Sequence, residues 1–210
     1  MRVRVKVCGL RRMEDVVAAV EEGADAVGVV VGFPTSPRNL RVSEAAEIRR
    51  KIPVFVDAVL VTKAETREEL GNLVESIQPD AIQFYGPLSL TEAREAAQSC
   101  SVIMPVKAGT DPATLDVSAA DAILLDSHAG SLPGGSGQTH DWREARRFRE
   151  QTGLPLILAG GLNPSNVREA ICVVRPFAVD VSSGVELAPG VKSRELIRAF
   201  IAAAGEEIDE

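Results

Sequence analysis

Short apolar runs, mostly of β-branched residues, alternate with amphipathic stretches from one end of the chain to the other. The runs at about 3–7 (VRVKV), 26–31 (AVGVVV), 56–61 (VDAVLV), 81–84 (AIQF), 102–106 (VIMPV), 122–125 (AILL), 156–159 (LILA) and 177–181 (FAVDV) read as strands. Continuous apolar runs suit strands buried on both faces, as in a parallel sheet. Between them, apolar positions at helical spacing cover about 13–22, 43–50, 66–76, 89–99, 141–151, 164–174 and 192–204. Several of these helices have start signals. Ser43 precedes Glu44, Thr66 precedes Glu68 and Glu69, and Asn163 stands before Pro164 at the expected first helical position. The segment 111–119 carries only a weak helical pattern.

Eight strands in strict alternation with helices leave a closed eightfold barrel or an open doubly wound sheet. The open sheet usually carries G-x-G-x-x-G after its first strand, where this chain has Cys8-Gly9-Leu10-Arg11. The 210 residues allow roughly 26 per βα unit, which suits a compact barrel with short loops. No composition break or Pro/Ser-rich linker marks a boundary. The expectation is an α/β chain folded as a single compact (β/α)8 TIM barrel over residues 1–210.

Composition narrows the function classes. Aromatic residues make up only 4% of the chain, so the core is expected to be aliphatic. With 23 basic against 30 acidic residues the net charge is −7, and there is no basic run. That argues against a nucleic-acid partner, because neutralising phosphates takes clustered Lys and Arg. A pocket for one small anion stays possible. The three cysteines, Cys8, Cys100 and Cys172, form no C-x-x-C pair, so a disulfide scaffold or structural zinc site is not expected and a reducing cytoplasm is. The first residues alternate charged and apolar without the apolar stretch of a signal peptide, and no run approaches a membrane span.

In such a barrel the chemistry collects at the C-terminal ends of the strands. Strand one leads to Cys8, strand two to a loop with Pro34, Pro37 and Arg38, and strand six to Asp126. Arginine offers a planar fork that fits a carboxylate or phosphate. A carboxylate that closes an apolar strand is desolvated, which raises its pKa. The Gly134-Gly135-Ser136-Gly137 run beyond it is suited to closing over a site or offering N–H groups to an anion. Strands seven and eight lead to Gly160-Gly161 and to Ser182-Ser183-Gly184. Small residues at these two strand ends are where such barrels bind phosphate, since backbone N–H groups approach closely there. Strands three and four end in Thr62-Lys63 and Tyr85-Gly86 without a matching glycine pair, so one phosphate on the substrate is favoured over two. The only histidines, His128 and His140, fall around the loop after strand six and are too few for a histidine metal centre.

Taken together, Lys6-Val7-Cys8-Gly9-Leu10, Gly32-Phe33 with Ser36-Pro37-Arg38, Leu124-Leu125-Asp126, Gly134 to Gly137 with Asp141-Trp142, Leu158 to Pro164 and Asp180 to Glu186 resemble the phosphoribosylanthranilate isomerase family, in collinear order over essentially the whole chain. The resemblance implies a (β/α)8 barrel. It also implies the Amadori rearrangement of N-(5-phosphoribosyl)anthranilate to the 1-deoxyribulose phosphate in tryptophan synthesis, without cofactor or metal. By it, Cys8 is the general base, Asp126 the general acid and Arg38 the binder of the anthranilate carboxylate, while Gly160, Gly161, Ser182, Ser183 and Gly184 hold the phosphate. Asp126 is then protonated near neutrality, against about 3.9 for a free Asp, and Cys8 ionised, against about 8.5 for a free thiol. Strand alternation is read as turning Lys6 away from Cys8, which leaves nothing to lower the thiol pKa. The family commonly has Q-L-H-G after strand four, where this chain has Gln83-Phe84-Tyr85-Gly86, so Tyr85 is expected to be auxiliary. A monomer or homodimer is expected. The competing readings are another one-phosphate sugar isomerase and a non-catalytic phosphate-binding barrel. The latter would need neither Cys8 nor Asp126.

Overall fold

The computed structural model describes residues 2–98, 100–126 and 142–205. Eight strands, β1 (Arg4–Cys8), β2 (Ala26–Val31), β3 (Asp57–Thr62), β4 (Ala81–Phe84), β5 (Ser101–Lys107), β6 (Ala122–Asp126), β7 (Leu156–Ala159) and β8 (Ala178–Val181), close in sequence order into one barrel. All neighbours are parallel, and β1 pairs with both β2 and β8. Helices α1 (Met13–Glu21), α2 (Val42–Arg49), α3 (Arg67–Ile77), α4 (Leu90–Ala97), α5 (Trp142–Thr152), α6 (Val167–Val174) and α7 (Arg194–Gly205) form the outer ring. Between β5 and β6 the described chain has a single 3₁₀ turn, Pro112–Thr114, in place of a helix. That agrees with the weak pattern there: Asp111 and Pro112 suit a turn, with the Asp111 carboxylate accepting from Ala113 N, and few apolar residues are spaced to cover the sheet.

Alternation along the strands makes two cores. Outward-facing residues such as Val5, Val7, Val27, Leu60, Ile82, Ile123 and Leu158 pack against the helices. Inward-facing Val59, Ala81, Ile103, Ala122, Leu124, Ile157 and Ala178 fill the barrel itself. Both are aliphatic.

Three predicted helix starts shift. Arg41, not Ser43, precedes α2, and the Glu44 carboxylate accepts from the Arg41 N–H. Asn163 caps a turn rather than α6 directly: its side chain accepts from Ser165 N, and regular helix begins only at Val167. Thr66 caps α3 as expected, accepting from Glu69 N at 3.1 Å. The helix expected from 192 begins at Arg194, because the preceding residues form a small antiparallel hairpin of β9 (Glu186–Ala188) and β10 (Val191–Lys192).

The N-terminal end of the barrel carries a repeated device. Asp25, Asp80 and Asp121, each just before an even-numbered strand, accept the backbone N–H of Val5, Ala58 and Val102 on the preceding strand at 2.8, 2.8 and 2.7 Å. Arg2, Arg49 and Arg94 pair with the same three carboxylates. This end reads as stability, which leaves the opposite end for chemistry.

Candidate active site

Cys8 and Asp126 are the last residues of their strands rather than the first beyond them. Both therefore belong to the regular register, Cys8 opposite Gly28 on β2, and Asp126 opposite Lys107 on β5 and Ala159 on β7. Gly28 gives the thiol its space, since a Cβ there would stand 2.8 Å from the Cys8 sulfur. Between these two strands lie β7 and β8, whose ends supply the glycine-rich segments. Gly160 and Gly161 both have positive φ, 87° and 65°, a conformation that suits glycine. Gly184 is needed for a different reason. A Cβ on it would lie 2.0 Å from the carbonyl oxygen of Leu162, so the loops after β7 and β8 touch backbone to backbone.

Arg38 is buried, 8% exposed, and folds across Gly9 towards Ser182. A Cβ on Gly9 would meet the Arg38 Cδ at 2.5 Å and the Ser182 hydroxyl at 3.1 Å. The Arg38 Nε and Nη2 donate to the two Glu186 oxygens at 2.8 and 2.6 Å. Of the five guanidinium N–H groups this leaves three for a ligand. Burial would raise the Glu186 pKa, but hydrogen bonds from Arg38 and Lys192 outweigh it and hold the carboxyl below its usual range. Lys192, on β10, donates to Glu186 at 2.8 Å and to the Ser182 carbonyl at 3.0 Å. One buried carboxylate thus ties the arginine of the second loop to the loop after β8.

One sequence expectation is reversed. Lys6 does not point away from Cys8, because residues two apart on a strand share a face. Lys6 is 3% exposed inside the barrel, with its ammonium on Asp180 Oδ1 at 2.8 Å and Gln83 Oε1 at 3.0 Å. Burial dominates the Cys8 thiol and pushes its pKa up. Lys6 and Lys192 pull the other way, Asp180 adds to the rise, and the net result stays above an ordinary thiol. Near neutrality Cys8 therefore rests as the thiol. Tyr85 takes the Gln83 amide N–H on its hydroxyl at 2.8 Å and stands edge-on to Phe33 at 5.9 Å. Burial, with the nearby Asp126 charge, pushes the phenol pKa up, so Tyr85 stays neutral.

Four consecutive strand ends, from β6 round to β1, thus gather Asp126, Gly160-Gly161, Ser182 to Gly184 and Cys8, and the loop after β2 adds Arg38. The run Gly134 to Gly137, Asp141, and both His128 and His140 lie outside the described residues. Sequence reasoning passed over Lys6, Gln83, Asp180 and Lys192. Gln83 and Asp180 were signalled as polar residues inside otherwise apolar strands, where a side chain has no route to solvent, whereas Lys6 was masked by the charged–apolar alternation of its strand. Lys192 gave no such signal, because its two-residue strand is too short to show a pattern.

Fold and mouth define a (β/α)8 barrel enzyme whose polar groups converge at the C-terminal ends of the strands. The family model for N-(5'-phosphoribosyl)anthranilate (PRA) isomerase matches residues 5–203. The N-(5'-phosphoribosyl)anthranilate isomerase of Halobacterium salinarum is 45% identical over 208 residues, covering 96% of this chain and 95% of that protein. Among solved structures, phosphoribosyl anthranilate isomerase from Thermotoga maritima superposes with a TM-score of 0.87 at 41% identity, covering 96% of this chain and 98% of that one. A phosphoribosyl anthranilate isomerase in complex with reduced 1-(o-carboxyphenylamino)-1-deoxyribulose 5-phosphate gives 0.83 at 39%, with the same coverage. The chain belongs to the N-(5'-phosphoribosyl)anthranilate isomerase family.

Proposed function

We propose that this isomerase of tryptophan biosynthesis rearranges N-(5-phosphoribosyl)anthranilate by general acid–base catalysis, as an aldose–ketose isomerase without cofactor or metal. Asp126 donates a proton to the ribose ring oxygen as the C1′–O bond breaks, and the anthranilate nitrogen lone pair forms the C1′=N iminium. Cys8 as thiolate takes the C2′ proton, and the C–H electron pair becomes the C1′=C2′ bond of a neutral enolamine. Tautomerisation to the C2′ ketone completes the rearrangement. Gly160, Gly161, Ser182, Ser183 and Gly184 hold the phosphate through backbone N–H groups and hydroxyls. The free N–H groups of Arg38 hold the carboxylate.

The observation that carries this reading is the common neighbourhood of the β6, β7, β8 and β1 ends, with acid and base three strands apart around the ring. A substrate seated on the two loops between them would have one group on either side. Residues 1–210 are read as one domain, working in the cytoplasm as a monomer or homodimer. No described helix is long and apolar enough to cross a membrane. Val54 and Phe55, between α2 and β3, are exposed apolar side chains that burial against a second copy would stabilise, and the sedimentation mass decides between the two states.

The direct test follows the fluorescence of freshly made phosphoribosylanthranilate after addition of the purified chain. Loss of substrate signal supports the assignment. No turnover favours the phosphate-binding barrel. Arg38→Lys is expected to raise KM about tenfold or more with the fold intact, since a point ammonium replaces the planar fork. An unchanged KM removes Arg38 from carboxylate binding. A base whose pKa lies above the ordinary thiol range loses about tenfold in its active form per pH unit below that value. In Asp126→Asn, where loss of the acid's own proton no longer offsets it, the residual kcat/KM should therefore climb with pH throughout the neutral and mildly alkaline range. A plateau from neutrality upward would show that a group other than Cys8 takes the proton.

A further inference from the structure

Lys6 has no part in the proton transfers above, yet it lies in the barrel interior two residues before Cys8, on the same face of β1. Every one of its partners is fixed. Asp180 on β8 is its register neighbour and accepts from Nζ at 2.8 Å. Gln83 on β4 accepts at 3.0 Å, and the ammonium, which can only donate, keeps the amide oxygen turned to it while Nε2 donates to the Tyr85 hydroxyl at 2.8 Å. An ammonium carries three N–H groups, so one remains, and Cys8 is the next residue along the same face of β1.

A barrel core gains nothing in stability from such an arrangement. Well-packed apolar residues of similar volume serve as well as a buried ion pair, or better, while removing one partner of the pair is costly. The charges also fit a particular guest. The charged and titratable groups facing Cys8 are Lys6 from β1, Asp180 from β8, Lys192 from β10 and Tyr85 beyond β4, while Gly28 on β2 contributes none. Glu186 and Arg38 are tied to Lys192. Three cations against two carboxylates leave this cluster one negative charge short while Cys8 carries its proton.

We propose that Lys6 is a positioning residue of the isomerase reaction. Its ammonium, clamped between Asp180 and Gln83, presents its remaining N–H to the Cys8 sulfur and holds the thiolate that takes the C2′ proton. Tyr85 has an indirect part in this device: its hydroxyl accepts the N–H that the Gln83 amide turns away from Lys6. The proposal rests on the reading of Cys8 as the base.

The test reads the thiol itself. Thiolate absorbance in the ultraviolet is titrated against pH for the protein and its variants, each with a Cys8→Ser counterpart subtracted to remove Cys100 and Cys172. Lys6→Met is expected to move the Cys8 midpoint upward by at least about one unit, a tenfold loss of thiolate at a given pH. Asp180→Asn is expected to move it downward, because a carboxylate facing the sulfur is lost. A merely structural role would leave both midpoints in place or displace them the same way, and either result overturns the proposal. Where Lys6→Met does not fold, Lys6→Gln takes its place: a midpoint that fails to rise overturns the proposal. Turnover of Cys8→Ser separates the two layers. Near-normal turnover there removes the base reading. A dead Cys8→Ser with an unmoved Lys6→Met midpoint removes only the role of Lys6.

Discussion

Cys8→Ala is expected to cut turnover by at least about 10²-fold while leaving the fold intact, and Asp126→Asn to do the same from the opposite side of the substrate. The two substitutions suit the purpose because neither disturbs packing much. Cys8 lies against Gly28, which has no side chain to collapse into the gap, and exchanging a sulfur for a hydrogen removes little buried volume. Asparagine keeps the shape of aspartate but has no acidic proton to give. Rate assays paired with thermal unfolding check both halves of the expectation. Near-normal turnover in either variant, with unfolding unchanged, removes that residue from proton transfer.

The second large effect is expected at Gly184. A Cβ added there comes within 2.0 Å of the Leu162 carbonyl oxygen and 3.0 Å of its carbon, and backbone cannot swing aside as a side-chain tip can. Gly184→Ala must therefore spread the loops after β7 and β8. Misplacing substrate-positioning groups by about 1 Å can cost about 10² in rate, so kcat/KM should fall by that order. Calorimetric titration with inorganic phosphate should show the same loss. Gly71 is the control: it lies inside α3 with nothing within 4 Å of an added Cβ, and Gly71→Ala should be neutral or slightly stabilising. Phosphate binding that survives in Gly184→Ala would mean that the contact between these loops does not shape the cradle.

The barrel was legible because its strands are buried on both faces, which turns them into apolar runs with little ambiguity of period. Helix starts were less legible, since capping depends on which side chain reaches back. At α2 that is Glu44 acting on Arg41, and Ser43 is already inside the helix. At the site, glycine pairs and strand-end residues could be read from position alone. The Lys6–Asp180–Gln83 cluster could not be assembled from sequence, because its members lie on β1, β8 and β4 and meet only when the sheet closes. The misreading of Lys6 had a simpler cause: a period of two puts alternate residues on one face, not on opposite faces. Glu186 appeared in sequence as the end of a motif. Its work of joining Arg38 to Lys192 needs the hairpin of β9 and β10, whose brevity hides it.

The three aspartates at the N-terminal end of the barrel join strands in a definite grouping. Asp25 links β2 to β1, Asp80 links β4 to β3 and Asp121 links β6 to β5. Among the described residues, no aspartate clasp spans the boundaries between β2 and β3 or between β4 and β5: the first is crossed at this end by the backbone bond from Asp57 N to Asp25 O, the second by Ser101 N to Asp80 O and by the Cys100 thiol donating to the Pro79 carbonyl at 3.1 Å. Strands β1 to β6 are therefore grouped into three two-strand staves, each fastened at its foot by its own aspartate. A chain cut or duplicated between staves keeps every clasp whole, whereas a break inside one severs it.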